Sequence, residues 1–313
     1  MIAFVTDLHL KDKPPESRID DYAHTVLGKL EKVFQTVDKS EGDQGIICGG
    51  DLFDVKEGAK ISHGLVVDII ALLRQYSHIP FYTLIGNHDI KYDRLDTIEK
   101  QPLGVLLKSG LVHRINKKYL ENNSNIIFGL DFIGDKYLNY DMFDLPYSDS
   151  KFNIVCVHCN IMPDSETFYY ENALSFNKII DRFPKLNLMI MGHIHFFKEN
   201  PLIYKYNNSF LVGPGSLARV SSAKENLDRD INIVYIKDKG FSIDKLEVKP
   251  SSEIFDLKRI EELKQRDGMI ADFVSDLVKA SSSSSDSIDE ILNRSNIDEN
   301  IKTRVYYYLK KAQ

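Results

Sequence analysis

The feature that most constrains how this chain can fold is a set of five short apolar segments, each of which runs into polar residues able to bind metals. In open α/β sheets, ligands bind beyond the carboxyl ends of the strands. If the five segments are strands of such a fold, their polar ends are expected to meet at one site. The segments and the residues that follow them are 2–6 with Asp7-Leu8-His9, 45–48 with Gly49-Gly50-Asp51-Leu52-Phe53-Asp54, 81–85 with Gly86-Asn87-His88-Asp89, 152–157 with His158, and 188–191 with Gly192-His193-Ile194-His195.

Patterns of apolar residues divide the chain into a large α/β region and a shorter helical one. Helical spacing between the first strand segments predicts an α/β fold built on a central sheet. The second half is richer in strands, with hairpin signals at 207–208 and 238–240. The helical patterns of the first half are 22–36, 62–76 and 94–108. The predicted domains are a layered α/β domain at 1–250, a helical extension at 251–280, a serine-rich linker at 281–287 and a helix pair at 288–313.

The composition is that of an ordinary globular chain, with 43% hydrophobic and 27% charged residues. No apolar stretch approaches the ~18 residues of a membrane-spanning helix, and the first residues read as a buried strand, so we expect no membrane association. Three cysteines, of which 156 and 159 have CxxC spacing, are interpreted as core residues of a cytoplasmic protein. A net charge of −6 offers no strongly basic surface, but bound cations and local lysines can still attract nucleic acid.

Seven residues at the strand ends carry oxygen or nitrogen ligands, which exceeds the need of one metal ion and suits two. The two outer residues of Asp7-x-His9 lie on one side of an extended segment, as do those of His193-x-His195. Asp51 is the most natural bridging carboxylate, and two ions about 3.5–4 Å apart clamp the oxygens of a displacement at phosphorus. A mixed ligand set without thiolate favours Mn, Fe or Zn over Ca. The seven candidates are Asp7, His9, Asp51, Asn87, His158, His193 and His195.

The order of these motifs resembles the calcineurin-like metallophosphoesterase superfamily, whose pattern is DxH, GDxxD, GNH[DE], H and GHxH. The resemblance covers residues 1 to about 215. It implies a four-layer α/β/β/α sandwich, here followed by a C-terminal helical extension. It also implies two divalent ions, with Mn the first expectation and Mg, Fe or Zn as alternatives.

The same resemblance implies roles for individual residues. His88 would act as an acid or transition-state stabiliser toward the leaving oxygen, with Asp89 beside it as an orienter. The implied ligands are Asp7, His9, Asp51 and His195 for one ion, and Asp51, Asn87, His158 and His193 for the other.

Three segments, 6–10, 49–53 and 213–219, resemble the SbcD-type DNA double-strand-break repair nucleases, and the length resembles their short phage forms. The resemblance implies an exonuclease and endonuclease active on duplex ends and single strands in repair, recombination or replication. It implies an SbcC-like coiled-coil ATPase as partner, a homodimer within a heterotetramer, and a bacterial cytoplasm or phage-infected host. Asp54 stands where archaeal and eukaryotic members have a histidine, so that histidine's role is not carried over.

Two further groups of residues are candidates for binding. Basic and aromatic residues that flank the motifs can reach DNA phosphates, and apolar stripes in the last helices either pack on their own domain or dock on the partner ATPase. The DNA-contact candidates are Lys56, Lys60, Lys91, Tyr92, Arg94 and Arg219. The partner-contact candidates are Ile291, Leu292, Ile301, Val305 and Leu309.

Three functions are compatible with this pattern. The first is a two-metal DNA nuclease, which the intact ligand set and the C-terminal helices favour. The second is a free-standing phosphodiesterase for small nucleotides, and the third is a non-catalytic DNA-binding scaffold for the ATPase.

Overall fold

The computed structural model of this chain describes residues 1–15, 17–56, 60–117, 119–134, 138–170, 172–269, 302, 305 and 306. By its internal contacts the chain divides into two units, Met1–Ile254 and Phe255–Gln313. The predicted linker at 281–287 lies outside the described residues, as do Ile291, Leu292, Ile301 and Leu309. In the second unit, residues 257–269 are helical, and Val305 is helical and buried.

The described part of the chain is built from short strands and helices that follow one another along the sequence. The strands are β1 Ile2–Val5, β2 Gly45–Cys48, β3 Phe81–Thr83, β4 His113–Arg114, β5 Tyr119–Glu121, β6 Asn125–Leu130, β7 Phe152–His158, β8 Ile161–Met162, β9 Leu174–Ser175, β10 Leu186–Gly192, β11 Leu202–Tyr206, β12 Ser209–Gly213, β13 Ile231–Lys237 and β14 Gly240–Leu246. The α-helices are α1 Tyr22–Asp38, α2 His63–Gln75, α3 Pro102–Lys108, α4 Phe176–Arg182, α5 Lys224–Leu227 and α6 Ser251–Ile254, and 3₁₀ helices span Leu95–Lys100, Tyr140–Phe143 and Asp164–Tyr169.

Two six-stranded sheets form the centre of the first unit. The first sheet has the order β14-β13-β1-β2-β3-β4, and the second has the order β11-β12-β10-β7-β6-β5. β1, β2, β3 and β4 are parallel to one another, while β13 and β14 are antiparallel additions. In the second sheet β6, β7, β10 and β12 are parallel. The strands that carry the predicted ligands are therefore parallel neighbours within each sheet.

The alternation of side chains along β1 shows how the layers form. Phe4 points into an apolar core between the sheets, where it is clustered with residues such as Ile154 and Ile190 of the second sheet. Ala3 and Val5 point the other way, into a core shared with α1, α2 and α3. A third core joins the outer face of the second sheet to α4. The predicted α/β/β/α sandwich is confirmed.

Helix ends follow local chemistry. Asp21 is the N-cap of α1, and its side chain accepts from the His24 backbone N–H at 3.2 Å. Ser62 is the N-cap of α2, and its hydroxyl accepts from the Leu65 backbone N–H at 3.1 Å.

The prediction of a single helix over 94–108 is wrong. The chain there forms a 3₁₀ helix that stops at Gln101, and Pro102 begins α3, because proline is suited to the first turn of a helix and not to its interior.

Among the residues that the structure describes, no helix has the length and apolar character needed to cross a membrane.

Candidate metal centre

The carboxyl ends of five parallel strands bring the predicted ligands to one place. Asp7 and His9 follow β1, Asp51 follows β2 and Asn87 follows β3 in the first sheet. The second sheet supplies three histidines. They are His158, the last residue of β7, and His193 and His195, which follow β10.

The first group of ligand atoms combines two carboxylates and two imidazoles. One atom each from Asp7, His9, Asp51 and His195 lies within 4.8 Å of the others. His9 Nε2 is 3.6 Å from Asp51 Oδ2 and 2.9 Å from His195 Nε2. His195 Nε2 is 3.6 Å from Asp7 Oδ1. This spacing leaves room for one cation among the four atoms.

The second group shares Asp51 with the first. His158 Nε2 is 3.3 Å from Asp51 Oδ2 and 3.1 Å from Asn87 Oδ1. His193 Nδ1 is 3.1 Å from Asn87 Oδ1 and 3.3 Å from His158 Nε2. Asp51 Oδ2 thus faces both groups, and the structure brings together the same two sets of four residues that the resemblance implies.

The backbone at this site is held in a conformation that non-glycine residues avoid. Four of the candidate ligands have φ between 47° and 84°, a left-handed region that costs of order 1–3 kcal/mol per residue. Such a conformation persists only where surrounding contacts enforce it. The four are Asp7, His9, Asp51 and His193.

Gly86 is required by a close approach. A Cβ built at this position would lie 2.1 Å from Asp51 Oδ1 and 2.4 Å from the Asp51 backbone N, both inside contact distance. The neighbouring His88 backbone N–H donates to the same Asp51 Oδ1 at 2.7 Å. Glycine here lets the loop after β3 touch the Asp51 carboxylate.

Burial and opposite charges shift the pKa values of the cluster in different directions. Burial favours the neutral form of Asp51, but the neighbouring His158 outweighs it and holds the pKa of Asp51 well below its usual range. Burial alone would lower the pKa of His158, and the Asp51 carboxylate instead raises it to about 9. Burial lowers the pKa of His195 to about 4, which keeps this imidazole neutral and able to bind a metal at neutral pH.

One buried atom shows that the residues fit a cation. Asp7 is fully buried, and its Oδ2 accepts from Thr6 Oγ1 at 2.7 Å and from the His193 backbone N–H at 3.0 Å. Its Oδ1 has no hydrogen-bond partner in the described part of the chain. A buried carboxylate oxygen without a donor is costly, and a cation within the first group would satisfy it. Carboxylate, imidazole and carboxamide ligands without thiolate suit a divalent transition metal.

His88 lies at the edge of the cluster with a different partner from the one expected. Its Nδ1 is 2.9 Å from Asp54 Oδ1, and its ring meets that of His9 edge to face at 4.6 Å between centroids. The other Asp54 oxygen pairs with Lys11 Nζ at 2.6 Å. The His88 side chain is 30% exposed, so solvent or a ligand can reach it.

The expectation that Asp89 orients His88 is wrong. The Asp89 carboxylate accepts from the Phe53 and Gly86 backbone N–H groups, both at 2.9 Å, and so holds two loops of the site together. It is fully buried, and burial, with the charge of Asp51 added, raises its pKa to about 7. The side chains of His88 and Asp89 point toward different partners, and Asp54 from the neighbouring loop lies beside His88 instead.

The residues after β6 also belong to the site, although the sequence motifs did not predict them. Asp131 accepts from the Ile85 backbone N–H at 2.8 Å and from Arg114 Nε at 2.7 Å. Phe132 stacks on His193 with ring centroids 5.9 Å apart. The signal was present, because Asp131 follows an apolar strand segment as the other acids do.

The DNA-contact candidates separate into exposed and buried residues. Lys60, Lys91 and Tyr92 are exposed, Tyr92 at 86%. Lys56 pairs with Asp93 at 3.1 Å, and Arg94 pairs with Asp96 at 2.6 Å. Arg219 is 2% exposed and donates to the carbonyls of Leu227 and Lys249, both at 2.6 Å. The expectation that Arg219 contacts DNA is wrong, because backbone acceptors within the fold take up its guanidinium.

The two-sheet sandwich and the histidine and aspartate cluster at its carboxyl edge are features of a metal-dependent hydrolase. Residues 1–197 match the family model for calcineurin-like phosphoesterases, and the chain belongs to that family. Its members use divalent metal ions to hydrolyse phosphoesters, which agrees with the cluster found here.

The solved structures to which this chain is similar include two from Thermus thermophilus. The protein TT1561 is 13% identical, with a TM-score of 0.45 over 79% of this chain and 98% of that chain. The sulfate thiohydrolase SoxB, solved in complex with glycerol, is 10% identical, with a TM-score of 0.46 over 85% of this chain and 59% of that chain. A search of curated proteins finds no significant match to the sequence.

Proposed function

We propose that this phosphoesterase is a DNA nuclease that hydrolyses phosphodiester bonds with two divalent ions, Mn²⁺ in the first instance. We further propose that it is the catalytic subunit of an SbcCD-like complex, as a homodimer bound to a coiled-coil ATPase. The observation that carries the hydrolytic part is that Asp51 Oδ2 faces both groups of ligand atoms. The resemblance of segments 6–10, 49–53 and 213–219 to SbcD-type nucleases supports the choice of DNA.

The chain's own residues have distinct tasks in this proposal. Two ions, when bound, would neutralise the phosphate and make a bound water nucleophilic at neutral pH. Asp51 and Asn87 would hold them together with the five other candidate ligands. Asp54 holds Nδ1 of His88, which leaves Nε2 as the nitrogen that can carry a proton to the departing sugar oxygen.

Exposed groups beside the cluster suit a nucleic-acid strand. Lys91 and Tyr92 follow the His88 loop, and Lys60 follows the Asp51 loop. Lysines contact phosphates without regard to sequence, and an exposed aromatic ring can stack on an unpaired base. These exposed groups favour a nucleic-acid strand over a small nucleotide as substrate, because contacts with them would extend beyond the reacting phosphate.

Cleavage assays with matched substrates test the proposal. Linear duplex DNA, single-stranded DNA and a cyclic dinucleotide are each incubated with the full chain and Mn²⁺. We expect cleavage of DNA that Asp51→Ala abolishes and that His78→Ala, a change at an exposed surface histidine, leaves intact.

Turnover of the cyclic dinucleotide alone would favour the small-nucleotide phosphodiesterase. DNA binding without any Mn²⁺-dependent turnover would favour the scaffold. Either result would refute the nuclease proposal.

A further inference from the structure

The segment 216–219 lies against the backbone of two candidate ligands. The Ser216 N–H donates to the His195 carbonyl at 2.9 Å, and the Ala218 N–H donates to the Asp7 carbonyl at 3.4 Å. Between them, the Leu217 N–H donates to the Thr6 carbonyl at 2.8 Å. Both ligands belong to the first group of the metal centre and to no other.

Two buried basic side chains hold the opposite side of this segment. Lys29 of α1 donates from Nζ to the Leu217 carbonyl at 2.8 Å. Arg229 donates from Nη2 to Ser216 Oγ and to the Ala218 carbonyl, both at 2.6 Å. Lys29 is 5% exposed and Arg229 is 8% exposed. In the described part of the chain neither forms an ion pair with a carboxylate, and burial lowers the pKa of Lys29 well below its usual range and that of Arg229 to about 9.

A single peptide group connects Lys29 to Asp7. The Leu217 carbonyl that accepts from Lys29 belongs to the same peptide unit as the Ala218 N–H that donates to Asp7. A hydrogen bond donated to the carbonyl polarises that unit and strengthens the bond made by its N–H. Asp7 has a φ of 54°, so its backbone needs outside contacts to stay in place.

We propose that Lys29 and Arg229 are positioning residues for the first metal group, acting through the 216–219 segment on Asp7 and His195. They touch neither metal nor substrate. In the second group, Asn87 follows β3 and His158 ends β7, while His193 lies in the same loop as His195 and donates its backbone N–H to Asp7 Oδ2 at 3.0 Å. The inference rests on the proposed two-metal centre and predicts that its first group depends on Lys29 and Arg229 more strongly than its second group does.

Titration of the metal-free full chain with Mn²⁺ tests this proposal by calorimetry, independently of catalysis. Lys29→Met is placed in two backgrounds, Asn87→Ala, which weakens the second group, and His195→Ala, which weakens the first. Loss of a partner behind a metal ligand typically costs about 10–100-fold in affinity. We expect that loss in the Asn87→Ala background and a smaller loss in the His195→Ala background, in which the second group is the intact one.

Lys32→Met is the matched control. Lys32 lies on the same helix, is exposed, and donates to the Glu247 carbonyl at 2.9 Å, away from the ligands. It should leave both affinities unchanged. Ser216→Ala removes the hydroxyl of the segment that accepts from Arg229 and keeps both buried basic side chains. It is therefore the alternative variant if Lys29→Met does not fold. We expect a smaller loss in the same background.

The possible failures are distinguishable. Equal losses in both backgrounds, or a Lys29→Met chain that binds like the Lys32→Met control, would overturn the positioning role alone. If Ser216→Ala is the only variant that folds, an unchanged Mn²⁺ affinity in that variant would also overturn the positioning role. A wild-type chain that binds no Mn²⁺ would overturn the two-metal centre, and the positioning role with it.

Discussion

Replacing Asp54 by Asn tests whether its carboxylate positions His88 for catalysis. The Asp54 side chain is 11% exposed and lies 2.9 Å from His88 Nδ1 through one oxygen. Asn keeps the shape but removes the charge. Hydrogen bonds to charged groups contribute about 1.5–3 kcal/mol, and each 1.36 kcal/mol, approximately, is tenfold in rate. We therefore expect roughly a 10–100-fold loss of kcat with little change in metal affinity.

The assay is Mn²⁺-dependent cleavage of single-stranded DNA under single-turnover conditions, with melting temperature as a check on folding. Lys11→Met removes the ion pair at the other Asp54 oxygen, and its smaller effect separates that contact from the one with His88. Asp93→Asn is the control, because Asp93 is an exposed acid paired with a lysine near the same loops.

The double variant Asp54→Asn, His88→Ala decides the interpretation. If Asp54 acts through His88, the double variant should be no slower than His88→Ala alone, because the two residues form one unit. Additive losses, or an Asp54→Asn rate within twofold of wild type, would refute the positioning role of Asp54.

Three further changes give distinct expectations. His88→Ala should keep both metal ions but lose on the order of 10²–10⁴ in rate, and a fall in metal content by elemental analysis would instead make His88 a ligand. Gly86→Ala should cost metal binding, because its Cβ would lie 2.1 Å from Asp51 Oδ1; normal Mn²⁺ affinity would contradict the close packing. Deleting 281–313 should preserve cleavage of short DNA and abolish co-purification with the ATPase; loss of basal cleavage would assign these helices to the nuclease's own core.

The sequence predicted most of the site because each ligand follows its own strand within a few residues. A strand end and its polar tail are adjacent in the chain, so the pattern is readable without knowledge of the fold. The bounds of β2 match the apolar segment predicted at 45–48, since clear polar or turn residues flank this strand. The pairing of the ligands into two groups followed from the family pattern.

The contacts that the sequence did not predict join residues far apart in the chain. Asp54 and His88 are 34 residues apart and meet only because β2 and β3 are neighbours. Arg219 resembled a surface cation, yet carbonyls of Leu227 and Lys249 bury it. The two-residue strand β4 is too short to leave an apolar pattern.

The most direct test of the two-metal account is anomalous diffraction from crystals of the full chain grown with Mn²⁺. The account predicts two peaks per chain on either side of Asp51, one among Asp7, His9 and His195 and the other among Asn87, His158 and His193. The groups of ligand atoms that share Asp51 give this expectation. A single peak, or a peak held by His9, Asp54 and His88 in place of either group, would contradict it.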